Sequence, residues 1–305
     1  MSPPARPLAE ALASGPVVLD GGLATELERR GQDLSGALWS ARVLRDQPGE
    51  VVAAHRAFVE AGAQVLTTAS YQASFEGLAA AGVDADGARA LLRRSVELAR
   101  EAAGDQPVWV AASVGPYGAA RADGSEYTGS YADELDVDAL RRFHRERLQT
   151  LAEAGADVLA FETVPCLAEA QALVEEAESV GVQGWLSLTT VTTPDGRVLT
   201  RRGEPAERAF ALARDSSAMI AVGVNCTDPT GVPPAVRLAA RVSGKPVVVY
   251  PNSGESWDAR ARAWAGPARF DALDVEGWVR AGARLVGGCC RVTPDAIASL
   301  AAALA

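Results

Sequence analysis

Residues 154–166 read AGADVLAFETVPC, and this stretch decides the fold class. A glycine ends a helical pattern, an apolar run follows it, and an acid stands at the end of the run. The element AGA recurs at residues 61–63 and 281–283, each time ahead of another apolar run. Glycine can adopt the left-handed conformation at a helix C-terminus and turn the chain into the next strand. The three copies therefore predict helix–turn–strand units repeated along one chain.

Eight such apolar runs are rich in Val, Leu and Ile and lack polar alternation, which is typical of strands buried on both faces. They cover residues 17–20, 65–70, 108–114, 158–162, 185–190, 219–225, 246–252 and 284–288. Helical periodicity occurs between most of them, at residues 51–62, 87–103, 137–155, 167–180, 206–214 and 231–242. This alternation predicts an α/β protein in which residues 1–305 form a single (β/α)8 TIM-type barrel.

A doubly wound sheet is the alternative architecture. It favours a G-x-G-x-x-G turn after the first strand, whereas residues 20–25 read DGGLAT. The long polar segments 117–136 and 253–274 are predicted to be insertions at the mouth of the barrel. The sequence thus favours the barrel.

Composition excludes several classes of partner. Lys plus Arg number 29 against 39 Asp plus Glu, for a net charge of −10 over 305 residues. Such a surface repels phosphate backbones and anionic lipids, so we expect no nucleic-acid or membrane partner. Four cysteines are too few for a disulfide scaffold, and no apolar run approaches the ~18 residues of a membrane span. We expect a cytoplasmic enzyme of small molecules, and the sequence leaves its oligomeric state open.

Three cysteines fall where a barrel carries its function, at the C-terminal ends of strands. Cys226 follows the sixth run, and Cys289 and Cys290 follow the eighth. Three thiolates at one rim suit zinc and leave a fourth position open, as in catalytic zinc sites. Adjacent cysteines on a regular strand point to opposite faces, but the glycines at 287–288 permit a distortion that turns both inward. The alternative is that these cysteines are buried small hydrophobes.

Two acids stand at the same predicted rim. Asp20 ends the first run and Glu162 the fourth. Helix capping or solvation in a loop would explain each acid alone, whereas two at one rim favour recognition of an amine such as that of an amino acid. The backbone amides of Gly21 and Gly22 are candidates for binding a carboxylate.

Aromatic and histidine side chains give weaker signals. Trp39 and Tyr71 lie near predicted loops, where an aromatic face would attract an onium cation or simply pack. His55 and His144 fall within predicted helices and are expected to be packed or surface residues. With no histidine at the rim, a Ser/His or Cys/His triad has little support. Cys166 is expected to be a free thiol without a ligand role.

Eight short segments, taken in order, span almost the whole chain. They are LDGGLATELE (19–28), TTASYQAS (67–74), SVGPYGA (113–119), DGSEYTG (123–129), FETVPCLAEA (161–170), VGVNC (222–226), YPNSGE (250–255) and GGCCRVTP (287–294). Together they resemble the homocysteine S-methyltransferase family. The upstream NC together with GGCC is the most specific of these signals. SVGPYGA, DGSEY and YPNSGE resemble the bacterial S-methylmethionine-dependent branch in particular.

The resemblance implies a zinc enzyme that transfers a methyl group from a sulfonium donor to the sulfur of homocysteine, forming methionine. Its three zinc ligands fall on Cys226, Cys289 and Cys290. The predicted substrate-binding residues are Asp20, Gly21, Gly22, Trp39, Tyr71, Glu162 and Asn225. No side chain is expected to act as a catalytic base, because zinc coordination already keeps the substrate sulfur as a thiolate.

Other readings remain open at this point. The donor could instead be S-adenosylmethionine, betaine or a folate acting through cobalamin, and the acceptor could be selenocysteine. A different class is a non-catalytic barrel that binds zinc or thiols. A phosphate-binding aldolase or isomerase would favour a lysine at a strand end. Lys245, the one lysine in the chain, directly precedes the seventh run, at the wrong end of the strand, and argues against Schiff-base chemistry.

Overall fold

The protein is described by a computed structural model over residues 4–34, 39–258, 263–268, 270 and 275–305. Eight parallel strands build the barrel: β1 Val17–Val18, β2 Val65–Thr67, β3 Trp109–Val114, β4 Val158–Val164, β5 Gly184–Leu188, β6 Met219–Asn225, β7 Val247–Tyr250 and β8 Ala283–Val286. Their order in the sheet is β1-β8-β7-β6-β5-β4-β3-β2, and Leu19 pairs in parallel with Val65 to join its two ends. The predicted (β/α)8 barrel is confirmed.

Thirteen α-helices lie within the described ranges. They are α1 Leu8–Ser14, α2 Leu23–Arg29, α3 Trp39–Asp46, α4 Pro48–Glu60, α5 Phe75–Ala80, α6 Ala85–Ala103, α7 Tyr117–Arg121, α8 Val137–Glu153, α9 Leu167–Val180, α10 Ala206–Leu212, α11 Val232–Ser243, α12 Val275–Ala281 and α13 Pro294–Leu304. Apart from the short α5 and α7, the helices from α4 to α13 contact one another in chain order, and α13 contacts α4 again. They therefore form a ring around the strands.

Local sequence signals set the ends of these helices. Asp84 and Asp136 cap α6 and α8, because each carboxylate accepts a hydrogen bond from a backbone N–H in the first turn. Gly62, Gly155 and Gly282 have φ of 96°, 85° and 120° after α4, α8 and α12. The AGA elements therefore turn the chain as predicted, from the end of a helix into the next strand.

The core has two layers. Apolar side chains between strands and helices form the larger cluster, and inward-facing side chains fill the barrel itself. Helix α1 adds Leu8 and Leu12 to the inner cluster, next to Val17 and Val65 at the beginnings of strands. The N-terminal end of the barrel is thus packed, which leaves the C-terminal rim for chemistry.

The connections after β3, β5 and β7 are the most elaborate. After β3, the segment 117–136 forms α7 and two 3₁₀ turns, Ser125–Tyr127 and Ser130–Asp133. A hairpin of Thr190–Thr192 and Val198–Thr200 follows β5, and the sequence did not predict it. The strands Ser256–Asp258 and Ala263–Ala265 pair after β7. Among the described helices, none is both long and apolar enough to cross a bilayer.

Candidate active site

The three predicted metal ligands come together at the C-terminal rim. The Sγ of Cys290 lies 3.8 Å from that of Cys226 and 4.0 Å from that of Cys289, and all three sulfurs are within 4.8 Å of one another. A tetrahedral zinc with Zn–S bonds of about 2.3 Å would separate its sulfurs by about 3.8 Å. Both the spacing and the soft donor set fit zinc, and no fourth Cys, His, Asp or Glu among the described residues joins the group.

Hydrogen bonds between neighbouring rim segments fix the backbone of the ligands. The N–H of Cys226 donates to the carbonyl of Tyr250 (3.2 Å), and the Thr189 hydroxyl donates to the carbonyl of Cys226 (3.1 Å). The N–H of Cys289 donates to the carbonyl of Pro251 at 2.7 Å. Cys226 itself has φ of 49°, the left-handed region that a non-glycine residue adopts only where its surroundings enforce it. The rim therefore positions its sulfurs at some conformational cost.

Glycines allow the segments that follow β1 and β8 to approach each other closely at the cysteines. Strand β8 ends at Val286, so the alternation of strand side chains has ended before Cys289 and Cys290. A Cβ on Gly22 would lie 2.6 Å from the carbonyl oxygen of Cys289, and one on Gly288 would lie 2.2 Å from Val292. Any side chain at these positions would push the cysteine loop away. This explains how both adjacent cysteines reach one cluster.

The three thiols cannot easily lose their protons together. The pKa of Cys226 is lowered well below its usual value because Cys289 and Cys290 hydrogen-bond to its sulfur. Those same interactions, with the charge on Cys226, raise the pKa of Cys289 and of Cys290. One thiolate thus discourages the next, and a cation would be needed to hold all three as thiolates.

A cavity of about 240 Å³ opens above the cysteines. Tyr127 reaches into it from the segment after β3, and its hydroxyl lies 3.6 Å from the Sγ of Cys226. Glu126 lines the same cavity. Segment 117–136 therefore lies at the mouth, as predicted. Neither residue can be given a role from the sequence, although both belong to the DGSEYTG motif, because loop spacing does not show how far a side chain reaches.

Glu162 and Asp20 differ in their access to this cavity. Glu162 lines it, accepts a hydrogen bond from the Ser113 hydroxyl, and has its pKa raised to about 7 by burial. Asp20 is only 1% exposed, and its carboxylate accepts bonds from the N–H and hydroxyl of Thr67 at 2.8 and 2.9 Å. Burial raises the pKa of Asp20 too. Thr67 lines the cavity with Asp20 behind it, so a contact between Asp20 and substrate stays a prediction.

Asn225 joins two strands rather than facing the cavity. Its side chain is fully buried. The N–H of Thr163 donates to Asn225 Oδ1 (2.7 Å), and Asn225 Nδ2 donates to the Thr163 hydroxyl (2.8 Å). Thr163 has φ of 61°, and the pairing of β4 with β5 is irregular there. The Asn225 amide thus stabilises the unfavourable backbone conformation of Thr163. It also links β4, which carries Glu162, to β6, which leads into Cys226. The substrate contact predicted for Asn225 has no support in this geometry.

The structure shows where some of the other predicted substrate-binding residues lie. Gly21, Gly22 and Tyr71 line the cavity. The N–H of Gly22, however, donates to the carbonyl of Val292 at 2.9 Å, so this amide is engaged within the protein. Trp39 begins α3, but its side chain lies outside the described part of the chain. Contacts of these four residues with substrate remain predictions.

The histidines and the fourth cysteine lie away from the cysteine cluster. His55 and His144 are completely buried in α4 and α8, as packed residues. Cys166 is a buried free thiol whose pKa is raised to about 12 by burial. Within the described residues it does not join the group of potential metal ligands.

Comparison with known proteins decides the family. A sequence profile of homocysteine S-methyltransferase matches residues 17–304. The chain belongs to the homocysteine S-methyltransferase family. Homocysteine S-methyltransferase 2 of Arabidopsis thaliana is 42% identical over 94% of this chain and 92% of its own length. The selenocysteine Se-methyltransferase of Brassica oleracea var. italica is also 42% identical, over 94% of this chain and 88% of its own. The chain is therefore an enzyme of this methyltransferase family.

A solved structure supports the same conclusion. The metallated form of the homocysteine methyltransferase MmuM from Escherichia coli is 40% identical, covering 97% of this chain and 99% of its own, with a TM-score of 0.85. Family members act on small molecules, as expected from composition.

Proposed function

We propose that this enzyme transfers a methyl group from a sulfonium donor, S-methylmethionine, to the thiolate of L-homocysteine, with zinc as its metal. The observation that carries the proposal is the approach of three cysteine sulfurs, from two different strand ends, to within 4.8 Å of one another beneath an open cavity. Cys226, Cys289 and Cys290 would hold the ion. When bound, zinc would keep the substrate thiol deprotonated and nucleophilic at neutral pH.

The walls of the cavity would then orient the acceptor. Glu162 belongs to strand β4, lines the cavity, and has its pKa raised by burial and by the charge of Cys226. With the homocysteine sulfur next to the cysteines, the carboxylate of Glu162 would bind the α-ammonium group. Ser113 would keep that carboxylate in one orientation through its hydrogen bond. No general base is required once the sulfur is a thiolate.

Exclusion of water would assist the transfer. A thiolate and a sulfonium lose charge together as the methyl group moves between the two sulfurs, and charge cancellation is favoured where solvation is poor. Tyr71 and Tyr127 provide aromatic walls to the cavity. Their faces would also favour a positively charged sulfur.

The test of this proposal combines metal analysis with turnover. Protein purified under reducing conditions is expected to contain one zinc per chain and to form methionine from homocysteine and S-methylmethionine. Cys290→Ala is expected to lose both the zinc and the activity, because two sulfurs remain for an ion that requires four ligands. A Cys290→Ala enzyme with full zinc and a normal rate would contradict the ligand assignment. Turnover measured with S-adenosylmethionine or betaine in place of S-methylmethionine tests which donor the enzyme uses.

Selenocysteine is a second candidate acceptor. Two of the relatives, from Brassica oleracea var. italica and Astragalus bisulcatus, are named selenocysteine methyltransferases at 42% and 41% identity. The same cysteine site would accept a selenol in place of a thiol. Competition between homocysteine and selenocysteine for one donor measures the preference.

Three closely spaced free thiols fit a reducing compartment, and we propose that the enzyme works in the cytoplasm, in methionine synthesis.

A further inference from the structure

The segment 117–136 delivers an acid to the cavity with little positional freedom. Glu126 lies in the 3₁₀ turn Ser125–Tyr127 and lines the cavity above the cysteines. A Cβ on Gly118 would lie only 2.3 Å from the backbone nitrogen of Glu126, so α7 and this turn are in direct backbone contact. Asp123 Oδ1 accepts a hydrogen bond from the N–H of Ser125 (2.9 Å) and fixes the turn from its other side. The backbone that carries Glu126 is therefore fixed in position at the cavity.

Two side-chain acceptor oxygens of residues that line the cavity have no hydrogen-bond partner in the described part of the chain. They are Glu126 Oε2 and Gln72 Oε1, both shielded from solvent. Buried acceptors of this kind are rare because each costs on the order of 1–3 kcal/mol when left unpaired. Burial also raises the pKa of Glu126, as expected for an acid without a counter-charge. No Lys, Arg or His is among the described residues that line the cavity, so a cationic group to pair with the Glu126 carboxylate would come from a ligand.

The identity of that donor follows from the chemistry of the two substrates. An ammonium group offers a positive charge for a carboxylate and three N–H donors, so it has a donor for each of the two oxygens. Each amino-acid substrate carries one such group. Glu162 is 9% exposed on strand β4 of the barrel itself, and its pKa is raised by burial and by the charge of Cys226, so we assign it to the acceptor. Glu126 belongs instead to the segment 117–136 at the mouth, next to Tyr127, which leaves it for the second substrate.

We propose that Glu126 and Gln72 form a binding site for the α-ammonium group of the methyl donor and so select donors that are amino acids. The proposal rests on the proposed function, since it assigns the donor half of the same cavity. A quaternary ammonium such as betaine has no N–H and would leave both oxygens unpaired. The site therefore disfavours that class of donor.

The experiment removes the carboxylate and the ammonium group separately. The donors are S-methylmethionine and its analogue without the amino group, (3-carboxypropyl)dimethylsulfonium. Wild-type enzyme is expected to prefer the aminated donor in kcat/KM by roughly 10- to 100-fold, the loss expected for a charge-assisted hydrogen bond. In Glu126→Gln this preference should fall to a few-fold or less. Because the preference is a ratio within one enzyme, a general loss of activity cancels.

Two comparisons identify which ammonium group is bound. Selectivity for homocysteine over 4-mercaptobutyrate, which lacks the acceptor's amino group, should be unchanged in Glu126→Gln and reduced in Glu162→Gln. Glu134→Gln removes an exposed acid from the same segment and should retain wild-type donor preference. Full donor preference in Glu126→Gln, or loss of acceptor preference instead, would overturn the assignment.

The ammonium site can still be tested if the proposed methyl transfer is wrong. If wild-type enzyme transfers methyl from neither sulfonium, the methyl-transfer proposal is wrong. Calorimetric binding of the same two donors then still compares wild type with Glu126→Gln, and equal preferences in both would overturn the ammonium site. Glu126→Asp keeps the charge and serves as the variant if the glutamine substitution does not fold.

Discussion

Asn225→Ala tests whether the rim is held by a clamp between two strands. The substitution removes both hydrogen bonds between Asn225 and Thr163, of 2.7 and 2.8 Å. It leaves the buried N–H of Thr163 unpaired, at a cost of about 1–3 kcal/mol, and the second bond adds about 0.5–1.5 kcal/mol. We expect a loss of about 2–4 kcal/mol in the free energy of unfolding. At about 2 °C per kcal/mol for a chain of this size, Tm should fall by roughly 4–8 °C.

The same variant should weaken function through its neighbours. Glu162 precedes Thr163 and Cys226 follows Asn225, so release of the left-handed Thr163 backbone shifts both sides of the cavity. Loss of a residue that supports metal ligands typically costs about 10- to 100-fold in metal affinity or activity. The assays are thermal unfolding, zinc affinity by competition with a chelator, and KM for homocysteine. Thr163→Ser keeps both hydrogen-bonding groups and is the matched control.

One combination of results would refute this reasoning. If Asn225→Ala unfolds within about 1 °C of wild type and keeps its zinc, while KM for homocysteine alone rises, Asn225 contacts the substrate directly. The sequence-based expectation would then have been right and the clamp wrong.

Two further predictions concern buried groups. Glu162→Gln should raise KM for homocysteine at least 10-fold while the zinc content stays at one per chain, because an ammonium contact is lost and the metal ligands are untouched; loss of the zinc would contradict this role. Burial lowers the pKa of His55 to about 4, and neither ring nitrogen has a partner. The unfolded chain binds that proton more readily, so stability should fall by up to about 3 kcal/mol as pH drops from about 6.5 toward 4. His55→Leu should flatten that decline in denaturant titrations, and an unchanged decline would show that other groups cause it.

The barrel and its cysteine cluster could be predicted because they depend on order along the chain. Glycines in the AGA elements mark where helices end, and apolar runs without alternation mark buried strands. Once the topology is known, Cys226 at the end of β6 and Cys289 after β8 must share one rim, since β7 alone lies between these strands. The fold then determines where the end of each strand lies in space.

The functions of individual side chains could not be predicted in the same way. Asn225 directly precedes a ligand, yet its amide is committed to Thr163, 62 residues away. Asp20 follows β1 at the rim, but Thr67 lies between it and the cavity. Glu126 was overlooked because its place in the cavity depends on the backbone contact between its turn and Gly118. Hydrogen bonds between distant segments decide which polar groups remain for a substrate, and no local pattern contains them.

The account depends on three cysteine sulfurs holding one zinc with a position left for the substrate sulfur. X-ray absorption at the zinc edge measures this directly on the reduced, zinc-loaded enzyme. We expect three sulfurs at about 2.3 Å and one lighter ligand without substrate, and four sulfurs after homocysteine is added. A zinc with fewer than three sulfurs, or a coordination shell that homocysteine does not change, would contradict the account.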